Sequence, residues 1–113
     1  MRNESFKIAL GRKMWQLRKL SGMNQEQVAE ALGYEGSGTI SQIEKGKKGM
    51  KNEKIKEAAK LFKVNPHVLM SGRNYKNDEL QMHIDLETVI QQRRKSEHFE
   101  AIKSLLRLAA KEK

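Results

Sequence analysis

Glycines divide the first 70 residues of this chain into short segments that each repeat their apolar residues at helical spacing. Gly22, Gly33 and Gly46 each follow a segment whose apolar residues recur every three or four positions. Glycine often ends a helix because it adopts the left-handed backbone conformation without a steric penalty. The segments are short, and their period is that of a helix rather than a strand. The sequence therefore predicts an all-α fold built from short helices.

Capping residues and a proline place the starts of these helices. Asn24 is a good N-cap residue, and the pair Asn65-Pro66 supplies a cap followed by a proline in the first helical turn. The glycine-rich stretch 34–38 is expected to be a turn. Together these features predict a helical domain over residues 1–70. Its five predicted helices span residues 5–21, 25–32, 38–45, 52–62 and 66–70.

The segment after residue 70 is predicted to be an extension of this domain. Residues 71–78 are polar, contain a glycine and are expected to be a linker. Apolar and polar residues alternate over 79–85, which predicts a short strand, although a helix that begins near Asp85 fits equally well. From Leu86 onward the apolar residues follow helical spacing. Residues 79–113 are therefore predicted to be a mainly helical C-terminal extension.

The extension carries more large apolar residues than a tail of this length can bury by itself. We expect it either to cover the first domain or to pair with a second copy of the chain, and pairing is favoured. The predicted dimerisation residues fall into two stripes of helical period. They are Leu86, Val89, Ile90, Phe99, Ile102, Leu105 and Leu106.

The charge of the chain is strongly positive and unevenly distributed. The formal net charge is +9, and residues 1–70 carry 14 Lys and Arg against 7 Asp and Glu. A basic surface of this kind indicates a polyanionic partner, either a nucleic acid or an anionic membrane. Charge alone leaves both partners open, as well as a solvated basic face with no partner.

Several classes of protein are disfavoured by what the sequence lacks. It has no cysteine, so we expect no disulfide framework and favour a reducing, cytoplasmic location. It has no apolar stretch of about 18 residues that could span a membrane, and its first residues do not resemble a secretory signal. The three histidines are scattered and no catalytic triad is apparent. We therefore expect no metal site, no cofactor and no enzymatic activity.

The second and third predicted helices, with the turn between them, form a pattern suited to the DNA major groove. That groove is about 12 Å wide and admits one α-helix, whose small or amide-bearing side chains contact base edges. The third helix places two isoleucines on one side and Ser41, Gln42 and Lys45 on the other. A basic loop, residues 47–49, follows it.

A known family shares this pattern. The lambda-repressor-like helix-turn-helix proteins, also called the Xre or Cro/C1 family, are similar to the run GRKMWQLRKLSGMNQEQVAEALGY and the later run GTISQIEKGKKG. The resemblance covers about residues 6–70. It implies a five-helix DNA-binding domain, as in phage repressors and bacterial regulators, that places its third helix in the major groove of double-stranded DNA.

The resemblance also implies roles for individual residues. Ser37, Ser41 and Gln42 match base-reading positions, and the amide of Gln42 could bond an adenine. Arg18 and Glu44 match a structural pair that joins the first helix to the third. Contacts to DNA phosphates are implied for Asn24, Gln25, Thr39, Lys45, Lys47, Lys48 and Lys51.

Some residues depart from the family pattern. Gly38 stands where many members carry a readable side chain, and Glu35 adds a negative charge near the DNA. These departures favour modest sequence discrimination, with much of the affinity supplied by phosphate contacts. Lys56, Lys60 and Lys63 are expected to face away from the DNA.

Together, the residues and the resemblance predict a cytoplasmic transcriptional regulator. The favoured form is a repressor that acts as a homodimer on a palindromic operator. Two alternatives stay open. The chain could be an antitoxin that regulates its own operon and binds a toxin through its C-terminal helices, or a protein-bridging coactivator whose helical domain binds other proteins.

Overall fold

A computed structural model describes the backbone of residues 2–95 and the side chains of residues 5–90. All regular secondary structure in this part of the chain is helical and no strand is present in it, so the predicted all-α fold is confirmed. None of its helices has the length and apolarity needed to cross a bilayer. The helices are α1 (Arg2–Leu20), α2 (Gln25–Leu32), α3 (Ser37–Glu44), α4 (Asn52–Phe62), α5 (Pro66–Met70) and α6 (Asn77–Lys95).

The core lies where the inward faces of these helices meet. Burial of such apolar surface is the main stabilising term of a fold of this kind, at about 25 cal/mol per Å². Each helix contributes residues at the three- and four-residue spacing seen in the sequence. The buried residues include Leu10, Met14 and Leu17 of α1, Val28, Ala29 and Leu32 of α2, Ile40 and Ile43 of α3, and Ile55, Ala58, Ala59 and Phe62 of α4.

The predicted turn over residues 34–38 ends earlier than expected, and the helix predicted for residues 38–45 begins one residue earlier. Ser37 and Gly38 lie in α3, and Gly36 is the N-cap residue with an extended backbone. Glycine has a poor helix propensity, which is why the local pattern favoured a turn. Burial of Ile40 and Ile43 against the core stabilises the helix and outweighs that propensity.

The strand considered for residues 79–85 is also wrong, because these residues belong to α6. Leu80 is fully buried, and Ile84, one turn later, packs against the same core. Met82 and Leu86 lie on another side of the helix and are 71% and 62% exposed. The alternation in the sequence therefore comes from two apolar stripes on one helix. This helix begins at Asn77, well before Asp85.

Lys13 of α1 binds α5 and the connector between α5 and α6, residues 71–76. Its Nζ donates to the carbonyl oxygen of Val68 (2.7 Å) and to Ser71 Oγ (3.3 Å). The ammonium also lies 5.7 Å from the centroid of the Tyr75 ring. The Lys13 side chain is fully buried, and this desolvation lowers its pKa to about 8. The connector is thus tied to α1 at its start.

Gln16, one turn further along α1, binds the other end of the connector. Its Nε2 donates to the carbonyl oxygen of Tyr75 (2.9 Å) and to Oδ1 of Asn77 (3.0 Å). The Tyr75 ring in turn meets His83 of α6 edge to face, with centroids 5.5 Å apart. These contacts, together with the burial of Leu80, fix the direction of α6 relative to α1.

Gly11 allows α1 and α3 to lie in direct backbone contact. A Cβ atom at this position would lie 2.2 Å from the carbonyl oxygen of Ile43 and 3.0 Å from that of Glu44. Because both are backbone atoms, neither can rotate away as a side chain could. A side chain at residue 11 is therefore incompatible with the observed position of α3.

We expect Gly11→Ala to lower the free energy of unfolding by about 1–3 kcal/mol or more, because α1 and α3 must separate to admit the methyl group. Urea unfolding followed by circular dichroism measures this change. Gly38→Ala is the matched control, since a Cβ at Gly38 meets no atom within 4 Å. That control should be neutral or slightly stabilising. Equal stability of Gly11→Ala and the unchanged protein would contradict the close contact.

Candidate nucleic-acid interface

The outward face of α3 is polar because its apolar residues are directed inward. Ile40 and Ile43 are fully buried. Ser37 and Gln42 are exposed, and Ser41 is half-buried. The three predicted base-reading residues therefore lie on the surface of one short helix. Small hydroxyl and amide groups presented in this way can bond base edges in a major groove.

Glu44, the last residue of α3, joins three helices. Its Oε2 accepts a hydrogen bond from Arg18 Nε of α1 (2.6 Å), and its Oε1 accepts from Arg18 Nη2 (3.1 Å). Oε1 also accepts from Gln25 Nε2 of α2 (3.1 Å). The Arg18 and Glu44 side chains are only 9% and 5% exposed. This buried, bidentate pair fixes the end of α3 against α1 and α2.

Arg18 also fixes the chain between α1 and α2. Its Nη1 donates to the carbonyl oxygen of Met23 (3.1 Å), directly before α2 begins. The guanidinium thus bonds α3 through Glu44 and the entry to α2 through Met23. Because the guanidinium is planar and rigid, these bonds define the relative direction of the two helices.

Asn24 and Gln25, predicted to contact phosphate, are both engaged within the protein. Asn24 Oδ1 accepts from the backbone N–H of Gln27 (2.8 Å), and Gln27 Oε1 accepts from the backbone N–H of Asn24 (2.9 Å). These reciprocal bonds form a capping box at the start of α2. The amide of Gln25 is held by Glu44. A phosphate contact from either residue stays a prediction, and it would have to use the hydrogen-bonding groups that remain.

The basic loop after α3 is attached to the end of that helix. Gly46 has a φ of 75°, and the backbone N–H of Lys47 donates to the carbonyl oxygen of Gln42 (3.0 Å). Thr39, in the first turn of α3, is half-buried. Four lysines predicted to contact phosphate are exposed at or after the end of α3: Lys45, Lys47, Lys48 and Lys51.

Lys7 of α1 extends this basic surface, although it is not among the predicted phosphate contacts. A Cβ at Gly49 would lie 3.8 Å from both Cγ and Cε of Lys7, so this lysine lies beside the loop. Lys7, Gly11 and Arg18 are four and seven positions apart, which places them on one face of α1. Lys7 could have been predicted from the sequence, because counting back from Arg18 at these intervals leads to it.

The structure describes only part of the predicted dimerisation surface. Leu86 and Val89 of α6 are 62% and 45% exposed, and Ile90 is half-buried. Met82, which was not predicted, is exposed beside them. We call Met82, Leu86 and Val89 the α6 stripe. The other predicted dimerisation residues lie outside the described residues: Phe99, Ile102, Leu105 and Leu106.

Comparison with known proteins gives a family match for the central part of the chain. Residues 16–69 match the family model described as "Helix-turn-helix". The match runs from α1 to α5 and therefore includes α2, α3 and the basic loop, in just under half of the chain. No curated protein and no solved structure matches the chain.

Removal of the Glu44 carboxylate should leave the Arg18 guanidinium buried without an anion. We expect Glu44→Ala to lower the free energy of unfolding by about 3–5 kcal/mol, because an uncompensated buried charge is costly. Urea unfolding measures this change. The double variant Arg18→Met with Glu44→Leu should regain most of the stability, because it leaves no unpaired charge.

The exposed pair Arg73–Glu79 (3.2 Å) serves as the control for this prediction. Arg73→Ala removes this pair and the contact of the guanidinium with the Tyr75 ring (4.9 Å), and it should still cost about 1 kcal/mol or less, since both contacts are exposed to solvent. If Glu44→Ala lowers the free energy of unfolding no more than Arg73→Ala does, the Glu44 carboxylate does not hold the three helices together.

Proposed function

We propose that this chain belongs to the Xre/Cro-C1 type of helix-turn-helix proteins, whose family model residues 16–69 match, and that it regulates transcription by placing α3 in the major groove of double-stranded DNA. The observation that carries the proposal is the polar face of α3, which Glu44 and the buried isoleucines hold outward. The attached lysine loop lies beside it. A helix that contacts bases and is flanked by lysine side chains fits in a groove between the two phosphate backbones of a duplex.

Base contacts and phosphate contacts have separate roles in this proposal. Gln42 bonds the edge of an adenine, with Ser37 and Ser41 beside it. The lysines after α3, together with Lys7, contact phosphates and set the register of the helix on the duplex. Each neutralised phosphate releases counterions, so affinity falls steeply as the salt concentration rises.

We further propose that the protein is a repressor rather than an enzyme, and that it acts in the cytoplasm as a homodimer. In this proposal residues 1–70 bind DNA, residues 71–78, which comprise the connector and the first two residues of α6, link the two parts, and residues 79–113 dimerise. One helix reads only a few base pairs, whereas two related copies read a palindrome and cover more of a promoter. The exposed α6 stripe supports the dimer, because three large apolar side chains in contact with water favour association.

We expect Gln42→Ala to cost about 1–3 kcal/mol of binding free energy and to relax the preference at one base position. Lys47→Ala should weaken binding to all sequences alike and reduce the slope of log K against log salt by about 1. Duplexes selected from a random pool, and their single-base variants, provide the targets. Binding is measured at several salt concentrations.

Lys60→Ala is the matched control for the lysine variant, because Lys60 is exposed on α4 and is expected to face away from the DNA. It should leave the salt slope unchanged. If Gln42→Ala and Lys47→Ala have the same effect on every sequence, their proposed roles are wrong. If the unchanged protein protects no duplex at low salt, the DNA-binding proposal itself is wrong.

We expect Leu86→Glu to shift the protein from dimer to monomer, because a charge at the centre of the α6 stripe cannot be buried without a partner. Gln81→Glu adds the same charge to an exposed position elsewhere on α6. It removes the hydrogen bond from Gln81 to Asp85 (2.9 Å), so its helix content is checked by circular dichroism, and it should leave the dimer intact. Sedimentation equilibrium measures both. A monomeric unchanged protein at micromolar concentration, or a Leu86→Glu variant that still dimerises normally, would contradict this interface.

A further inference from the structure

The charge of α6 changes sign along the helix. Residues 77–87 contain four acidic residues and no Lys or Arg, whereas residues 88–95 contain three basic residues and no acidic one. Glu79 precedes Leu86 by seven positions, and Arg93 follows it by seven. The exposed α6 stripe lies between them, with Leu86 at its centre. Asp78 and Glu79 are thus symmetric to Arg94 and Arg93 about Leu86 and opposite to them in charge, whereas Asp85 and Glu87, on either side of Leu86, are both acidic.

We propose that α6 pairs antiparallel with α6 of a second copy, with the two-fold axis at Leu86. The inference rests on the homodimer proposed above and adds its geometry. An antiparallel pair places the acidic first turn of each helix beside the basic end of the other: Asp78 lies opposite the partner's Arg94, and Glu79, which also pairs with Arg73 of its own chain, lies opposite the partner's Arg93. A parallel pair would place like charges together at both ends, which is unfavourable.

The apolar surface fits the same arrangement. Met82 and Ile90 are both four positions from Leu86, so each Met82 lies opposite the partner's Ile90. An open hollow beside the stripe is lined by apolar and polar residues of α6: Glu79, Met82, His83, Asp85, Leu86 and Val89. A side chain from a facing helix can fill this hollow and remove these residues from water.

The antiparallel arrangement also separates the two DNA-binding parts. Residues 1–70 of each copy carry a net charge of +7, and they join α6 at its N-terminal end. A parallel pair would bring two such parts side by side. In an antiparallel pair the two copies of Asn77 are about 27 Å apart along the helix axis.

The position of α3 is linked to that of α6 through the connector and α1. Lys13 and Gln16 hold the connector to α1, and Glu44 holds α3 to α1 through Arg18. A defined pairing of the α6 helices therefore implies a defined spacing of the two reading helices.

Disulfide cross-linking in the full chain tests the direction of pairing. The sequence contains no cysteine, so each introduced thiol is unique. Three samples are oxidised mildly: Met82→Cys, Ile90→Cys and an equal mixture of the two, each checked for folding by circular dichroism. We expect the mixture to yield a cross-linked heterodimer. Either variant alone should yield about tenfold less, because its two thiols lie about 12 Å apart along the axis, beyond the reach of a disulfide.

The other outcomes each overturn a stated part of the account. Efficient cross-linking of Met82→Cys alone would show a parallel pair and leave the homodimer standing. A dimer by sedimentation that cross-links in none of the samples would place the interface elsewhere. A monomer by sedimentation would overturn the pairing and the homodimer together, while binding of DNA by that monomer would leave the role of α3 intact.

Discussion

The position of α3 depends on the carboxylate of Glu44. Arg18 of α1 and Gln25 of α2 both donate hydrogen bonds to it, and Gly11 allows the backbone of α3 to reach α1. A planar guanidinium and an amide can both hydrogen-bond to one carboxylate in only a few relative positions of the helices. Apolar packing alone allows many such positions. We therefore infer that this buried pair contributes a defined arrangement of three helices more than net stability.

The exposed surface follows from this arrangement. Burial of Ile40 turns the serines and Gln42 of α3 toward solvent, and the bond from Lys47 N–H to the Gln42 carbonyl carries the basic loop with them. Groups suited to bases and groups suited to phosphates are thus part of one rigid unit. Because α1 also holds the connector through Lys13, the same helix positions both α3 and α6.

The helices and the core could be predicted from sequence because apolar period and capping residues are local signals. The failures have a common physical origin in distant contacts. Ser37, predicted only as part of a turn, is helical because the rest of α3 packs on the core, and residues 79–85 alternate because α6 has one apolar stripe on the core and one exposed. Lys13 and Gln16 lie on the buried side of α1, and their partners are more than 50 positions away. The hydrogen bond from Gln25 to Glu44 likewise could not be predicted from the sequence, because the two residues meet only in the folded chain.

Replacement of purine ring nitrogens tests most directly whether α3 lies in the major groove. The 7-deaza purines lack the N7 acceptor of the major groove, and 3-deazaadenine lacks the N3 acceptor of the minor groove. In a selected duplex, 7-deaza substitution within a half-site should weaken binding by about 1–3 kcal/mol, and Gln42→Ala should lose that sensitivity at one adenine. Substitution by 3-deazaadenine should have little effect. Binding that is insensitive to 7-deaza substitution but weakened by 3-deazaadenine would contradict the account.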